Sequence, residues 1–521
     1  MKEQGLIAST ILLTATSLVT RTIGMISIVY ISNTIGTEGM GLYQLLMTIY
    51  SVGIIVASAG LSVSVSKMIA EEIAKHHFSM ISKVMAIALF ISALLSITTS
   101  FMFFTFTDTI IHLFIADARI LWGLKMLSLS IPFISFSSCF KGYFYAVKKA
   151  AFPASADILE QFIKLALIMT LVGLWAPKGL SYAYAAVGIG MTIGEMISCS
   201  YLLTLYLINR KGVSYPKGKV PFYSTTRKSI LFGLIKLILP IALIAYVGSA
   251  FISIENILIP MSLRKFGAST EDSLSIYGML KGMVLPILFF PSAFLTAFST
   301  TLIPEIARAN ALGHKKRVAY TTNRVIQLTF ILSMLIVSIF INYSTEISLI
   351  FYKKLEVGQM LKILALIVPF MYIEAVTDGI LKGLGIQMCC LRYSIIDSLF
   401  RILMIYFLIP IKGISAFIGI MIASNILTST LNFNKLLDET KIKIKVSNWL
   451  IKPSVSATTA GIFSKLLINQ IIPTSISLSW HLCLGISLCL MIYIVLLFLV
   501  EALTSEDFNW LKKHLSPCKE G

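Results

Sequence analysis

Apolar residues fill this chain in blocks of twenty or more, broken by short polar and basic connections. A helix needs about 20 such residues to cross a bilayer core. The pattern predicts about fourteen spans, near 6–32, 41–69, 80–106, 119–147, 155–175, 179–208, 228–260, 274–300, 318–341, 358–382, 391–410, 413–436, 449–472 and 478–503. The strict apolar–polar alternation of a membrane β-barrel is missing. The expected fold class is therefore all-α, a polytopic membrane protein.

The tryptophans support these edges. Trp122, Trp175, Trp449, Trp480 and Trp510 fall at or just beyond a span end, where an indole buries its ring and keeps its N–H wet. Lys and Arg crowd the connections after spans 2, 6, 8 and 12 and are scarce after spans 1, 5, 11 and 13. Positive loops face the cytoplasm, so both termini are expected there.

The basic segment 209–228, NRKGVSYPKGKVPFYSTTRK, reads as a linker. It separates an N-terminal lobe, 1–208, from a second lobe, 229–436, with two last spans and a cytoplasmic tail in 437–521. In that tail Phe508, Leu511 and Leu515 would line one face of a short helix lying on the membrane.

Composition agrees with the pattern. The 521 residues are 57% hydrophobic and 13% charged, against about one quarter charged in a soluble domain. The net charge of +19 sits in short loops, so no nucleic-acid partner is expected. The seven cysteines lie mostly inside spans without CxxC or Cys/His spacing, which makes them small core residues and predicts no metal. The run behind the N-terminal MKEQG is too long for a signal core and carries Arg21, so it reads as a retained first helix.

An internal echo crosses the linker. GLYQLLMTIYSVGIIVASAGLSVSVSKMIAEEIA from Gly41 aligns with SIYGMLKGMVLPILFFPSAFLTAFSTTLIPEIAR from Ser275. Tyr43 then falls on Tyr277, Ser58-Ala59 on Ser292-Ala293, Ile69 and Glu71 on Ile303 and Glu305, and Arg21 on Glu255. A parallel repeat of this kind puts a substrate site near the midplane between two halves.

Ionisable residues inside spans mark function by default. They are Arg21, Glu160, Lys164, Glu195, Lys236, Glu255, Lys281, Glu374, Asp378, Asp397 and Arg401. Glu160–Lys164 and Asp397–Arg401 are i,i+4 pairs that can neutralise each other. Lys67, Lys141 and Lys382 are close enough to span ends to snorkel. Arg21, Glu195, Glu255 and Glu374 have no local partner and need another helix or a watery cavity. An interior of both signs suits an anionic ligand held by cations, with Glu195, Glu255, Glu374, Asp378 and Asp397 left to couple a cation or to gate. The planar fork of Arg21 matches phosphate oxygens; the rival reading is an Arg21–Glu255 bridge that only gates.

No enzyme signature appears. GIGMTIG at 188–194 lies within a span, as a helix-packing face rather than a phosphate loop. The six histidines form neither HExxH nor a Ser/His/Asp pattern.

The stretches VTRTIG, ISNTIGTEGMGLYQLLMTIYSV and ASAGLSVSVSKMIAE resemble the opening of the stage V sporulation protein B family, in the multidrug/oligosaccharidyl-lipid/polysaccharide exporter superfamily. The likeness continues through FKGYFYAVKKAAFPASADILEQFIKL at 140–165, LFFPSAFLTAFSTTLIPEIA at 288–307 and EAVTDGILKGLGIQ at 374–387. It covers most of the chain and is weakest in the last two spans.

The resemblance implies two pseudo-symmetric six-helix lobes plus two C-terminal helices in a bacterial cell membrane. It maps the family arginine of helix one onto Arg21 and the Glu-Gln of helix five onto Glu160 and Gln161. Two positions depart from the family: Ile28 stands where many members carry a second cation, and Lys141 stands for the arginine of Arg-Gly-Tyr-Phe.

The expected substrate-binding set is Arg21, Glu160, Gln161, Lys164, Lys281 and Arg401. The expected function is a flippase for an undecaprenyl-pyrophosphate-linked saccharide, a peptidoglycan precursor for spore cortex. Its partners would be that lipid-linked oligosaccharide, membrane lipids and cell-wall synthesis enzymes. It would need no cofactor beyond a coupling Na+ or H+. Two alternatives are a cation-coupled multidrug exporter and a non-transporting scaffold for cortex synthesis.

Overall fold

A computed structural model describes residues 6–115, 117–212, 227–293, 295, 306–442, 444–471 and 477–503. Most of the expected linker, Ile303 and Glu305 of the repeat, Trp510 and the expected tail helix lie outside these residues. Every regular element among the described residues is helical.

Among the described residues, eleven stretches are long and apolar enough to cross a membrane. The two longest, Leu12–Ala74 and Gln387–Thr440, each take in two of the expected spans. The expected thirteenth, around Lys452–Ile471, is absent from the set. In both long stretches a glycine breaks the helical backbone, Gly36 at φ 75° and Gly413 at φ 59°. Positive φ is open to glycine without a Cβ clash, so a kink can form without a loop.

The chain divides into two compact units, Met1–Met261 with Ser269–Gly278, and Ser262–Ala268 with Met279–Gly521. The first unit therefore extends past the expected linker. It holds α1 (Leu6–Ser58), α2 (Leu61–Ala74), α3 (Phe78–Thr105), α4 (Thr107–Phe114), α5 (Leu121–Ser128), α6 (Ile131–Ala146), α7 (Ala151–Trp175), α8 (Leu180–Gly212), most of α9 (Arg227–Lys265) and α10 (Thr270–Tyr277).

In lipid the hydrophobic effect does not pull helices together, so close packing at small residues and interhelical hydrogen bonds must do it. The first unit shows both. A methyl on Gly142 of α6 would meet Ser62 O of α2 at 2.6 Å, and one on Gly123 of α5 would meet Tyr184 Cβ of α8 at 2.8 Å. Ser92 of α3 bonds Ser135 of α6 at 2.7 Å, and Ser135 donates to Ala57 O at 2.9 Å. A core of Leu61, Val65, Ile69, Val84, Phe144 and Leu202 takes in Leu234 and Ile238, which is how α9 joins this unit.

The second unit contains a π-helical segment to Val284, α11 (Leu285–Phe289), α12 (Lys315–Tyr352), α13 (Leu355–Leu364), α14 (Val368–Gly383), α15 (Gln387–Thr440), α16 (Lys452–Ile471) and α17 (Leu478–Leu499). The last two helices dock on α12 through polar contacts. Tyr343 OH bonds Ser464 at 3.0 Å, Tyr493 OH donates to Ile331 O at 2.8 Å, and Lys465 pairs with Glu346.

Trp449 is covered by protein. It donates Nε1–H to Asn323 at 3.1 Å and meets Phe433 edge-on. Trp122 and Trp480 are exposed, as an interfacial indole would be.

Candidate functional site: ionisable groups within the spans

In the first unit α7 and α8 build a buried ion triad. Glu160 and Lys164 are one turn apart on α7, and Glu195 faces them from α8. Lys164 Nζ lies 2.7 Å from Glu160 Oε1 and 2.6 Å from Glu195 Oε1. Lys164 is therefore the partner that Glu195 lacks within its own helix. Gly194 makes the approach possible, since a Cβ there would lie 2.5 Å from Lys164 Cγ. Gly188 and Gly190 make similar close approaches, to Met126 and Ile168. The GIGMTIG stretch is thus a packing face, and its last glycine also seats the triad.

Lys141 does not simply snorkel. Its ammonium lies 2.6 Å from Asp157 on α7. Together these five groups are two cations and three carboxylates. Gln161 is half-buried beside them and makes no side-chain hydrogen bond among the described residues.

Arg21 is placed differently. It is exposed on the first half of α1 and makes no hydrogen bond or ion pair among the described residues. Lys236 on α9 is in the same state. Glu255 is buried and engaged. Because Arg21 has no pair, the alternative Arg21–Glu255 bridge is not formed.

A second cluster is built within the second unit from three helical segments. Asp397, buried on the first half of α15, pairs with Arg401 one turn on, Oδ2 to Nε 3.1 Å. Ser424, beyond the Gly413 kink, donates to Asp397 Oδ1 at 2.5 Å. Thr428, one turn further, donates to Glu374 Oε2 of α14 at 3.0 Å. The kink brings Ser424 and Thr428 back against Asp397 and Glu374.

Asp378 instead forms a half-exposed pair with Lys382 at 2.6 Å. Lys281 is half-buried and engaged, within the π-helix Gly278–Val284, a form common at functional sites. Sequence reasoning did not single out Ser424 or Thr428, and it read Gly194 only as part of the GIGMTIG packing face, without its approach to Lys164. Nothing in the sequence marked the two hydroxyls among so many others.

Residues 6–310 match the model of the polysaccharide biosynthesis protein family. The chain belongs to that family. Residues 274–407 also match the MatE family. The chain is 24% identical over 511 residues to stage V sporulation protein B of Bacillus subtilis (strain 168), covering 98% of each. It is 20% identical over 336 residues to the lipid II flippase MurJ of the same organism, 62% of this chain and 61% of that one.

The fold resembles that of a lipid II flippase MurJ in an inward closed conformation, with a TM-score of 0.67 at 17% identity, covering 93% and 97% of the two chains. It also resembles an inward-facing multidrug resistance MATE transporter of the MOP superfamily, with a TM-score of 0.63 at 14% identity, covering 81% and 94%. This member of the polysaccharide biosynthesis family is thus a multi-pass membrane protein with the fold of that superfamily.

Proposed function

We propose that this protein is a flippase that moves an undecaprenyl-pyrophosphate-linked saccharide, a lipid II-like peptidoglycan precursor used for spore cortex, by alternating access. A pyrophosphate and its sugars cannot cross hydrocarbon without a polar host. The observation that carries this reading is the free guanidinium of Arg21. Lys141, Lys164, Lys382 and Arg401 are held by carboxylates, while Arg21 is exposed within a span and unpaired among the described residues. Its fork remains available for two phosphate oxygens.

The two buried clusters support coupling to a cation. Lys141 and Lys164 stand against Asp157, Glu160 and Glu195, and Arg401 stands against Glu374 and Asp397. Each named set holds one carboxylate more than its cations, so one proton or one Na+ would neutralise it. The membrane potential supplies about 2.3 kcal/mol per unit charge per 100 mV to such a cycle.

A second reading is a cation-coupled exporter of small amphiphiles, favoured by the MatE match over 274–407. The test is leaflet exchange of fluorescent lipid-linked precursors in liposomes carrying the protein. Exchange should be lost in Arg21→Ala at unchanged membrane insertion and partly kept in Arg21→Lys. Full exchange by Arg21→Ala would remove Arg21 as a substrate residue. Exchange of a cationic dye without any exchange of the precursor would favour the second reading.

A further inference from the structure

The first unit carries a groove of about 800 Å³ distant in sequence from Arg21, between the start of α5, the end of α7 and the start of α8. Its rim is aromatic. Trp122 and Tyr182 are 54% and 55% exposed, and Trp175 closes the third side. Its floor is apolar, with Met126 and Ile189 in the wall, over the place where Gly123 and Gly188 let α5 and α8 nearly touch.

The cations around the groove are not equivalent. Arg119 is held by Glu38 and Asp117, both at 2.7 Å. Lys125 lies over the Trp122 ring at 5.5 Å and faces Asp108 at 3.8 Å. Lys178 lines the groove, is exposed, and has no hydrogen bond or ion pair among the described residues.

We infer that this groove binds one anionic glycerophospholipid, with an acyl chain in the apolar trough and the phosphate on Lys178. Trp and Tyr are the residues that settle at the ester and headgroup level of a bilayer. An apolar trough with such a rim fits a lipid chain rather than a sugar, and the single free ammonium makes the site selective for net negative charge. A choline headgroup brings its own cation to compete for its phosphate, so a zwitterionic lipid gains less.

The test is native mass spectrometry of the full-length protein, titrated in micelles with phosphatidylglycerol or with phosphatidylcholine of the same chains. The wild type should retain one phosphatidylglycerol about fivefold more strongly than phosphatidylcholine, the selectivity of one lysine near a phosphate. Lys178→Glu should erase the preference, and Lys178→Arg should keep it. Ile189→Trp, which fills the trough, should weaken both lipids while Lys178 stays in place. Equal retention of the two lipids by the wild type, or a preference that survives Lys178→Glu, would overturn the proposal. Lys178 is exposed, so its variants should elute as the wild type does.

Discussion

Replacing Lys164 with methionine separates an ion network that holds α7 to α8 from a set of loosely placed charges. The ammonium sits 2.7 Å from Glu160 and 2.6 Å from Glu195, and all three residues are buried. At an effective dielectric of 20, each contact carries about 6 kcal/mol of Coulomb attraction before desolvation is subtracted. Desolvation cancels much of that, so the intact network adds little net stability. Removing only the cation is another matter. Two carboxylates then remain buried without the ammonium that bonds both, and breaking a buried pair in this way costs about 3–5 kcal/mol.

Glu160→Gln should cost less, about 1–2 kcal/mol, because Glu195 keeps its ammonium and the amide oxygen still accepts from Lys164. Removing all three charges together, as Glu160→Gln, Lys164→Met and Glu195→Gln, should recover most of the loss, since no charge is left unpaired. Equilibrium unfolding in mixed micelles, followed by helical ellipticity, measures each step. Lys236→Met, at an exposed lysine with no partner, is the reference. The reasoning is refuted if Lys164→Met loses no more than that reference, or if the triple variant is no more stable than the single one.

Three further outcomes are expected. Glu374→Gln keeps an acceptor for Thr428, so stability should change by less than about 1 kcal/mol, while the response of leaflet exchange to an imposed Na+ or pH gradient should disappear; an unchanged gradient response argues against coupling there. Lys465→Met leaves half-buried Glu346 of α12 without its cation, so α16 should loosen by about 1–3 kcal/mol, read as faster protease cleavage near residue 450 than in Lys452→Met. Asp117, outside the spans, has its carboxyl pulled in two directions. Burial raises its pKa, but hydrogen bonds and charge from Arg119 outweigh this and hold it below the usual range. Its stabilisation is therefore full above the unfolded value of about 3.9 and lost as pH falls through the lower folded value. Arg119→Met removes the guanidinium but keeps the backbone N–H bond to Asp117, so it should shrink that acid-side slope in a pH series of melting temperatures.

The fold was legible because the bilayer enforces it: backbone groups in lipid must bond within a helix, so hydropathy alone marks the spans. The segment Lys452–Ile471, read as part of a span, is helical but falls outside the stretches apolar enough to cross a membrane. It carries Lys465, Ser456 and Ser464, buried or half-buried, and these polar residues lower its mean hydropathy. The partner of Trp449 was not legible: Asn323 is 126 residues away and no local pattern announces that bond.

Within the clusters, the i,i+4 pairs were readable because both partners lie on one helix. The bonds of Glu195 to Lys164 and of Glu374 to Thr428 were not, because they depend on how helices pack.

The contrast between paired and unpaired cations bears on which residue meets a substrate. A buried ammonium between two carboxylates can leave them only at the energetic cost just worked for Lys164, so it makes a poor ligand for a molecule that must bind and leave quickly. An exposed guanidinium with no partner loses no protein contact when a phosphate arrives. The departures at Ile28 and Lys141 sharpen the point. Ile28 offers no charge, and Lys141 is committed to Asp157, so under the proposed function a phosphate would meet Arg21, which has no pair among the described residues. A site with so few cations suits release as much as capture, which a carrier needs and a tight binding protein does not.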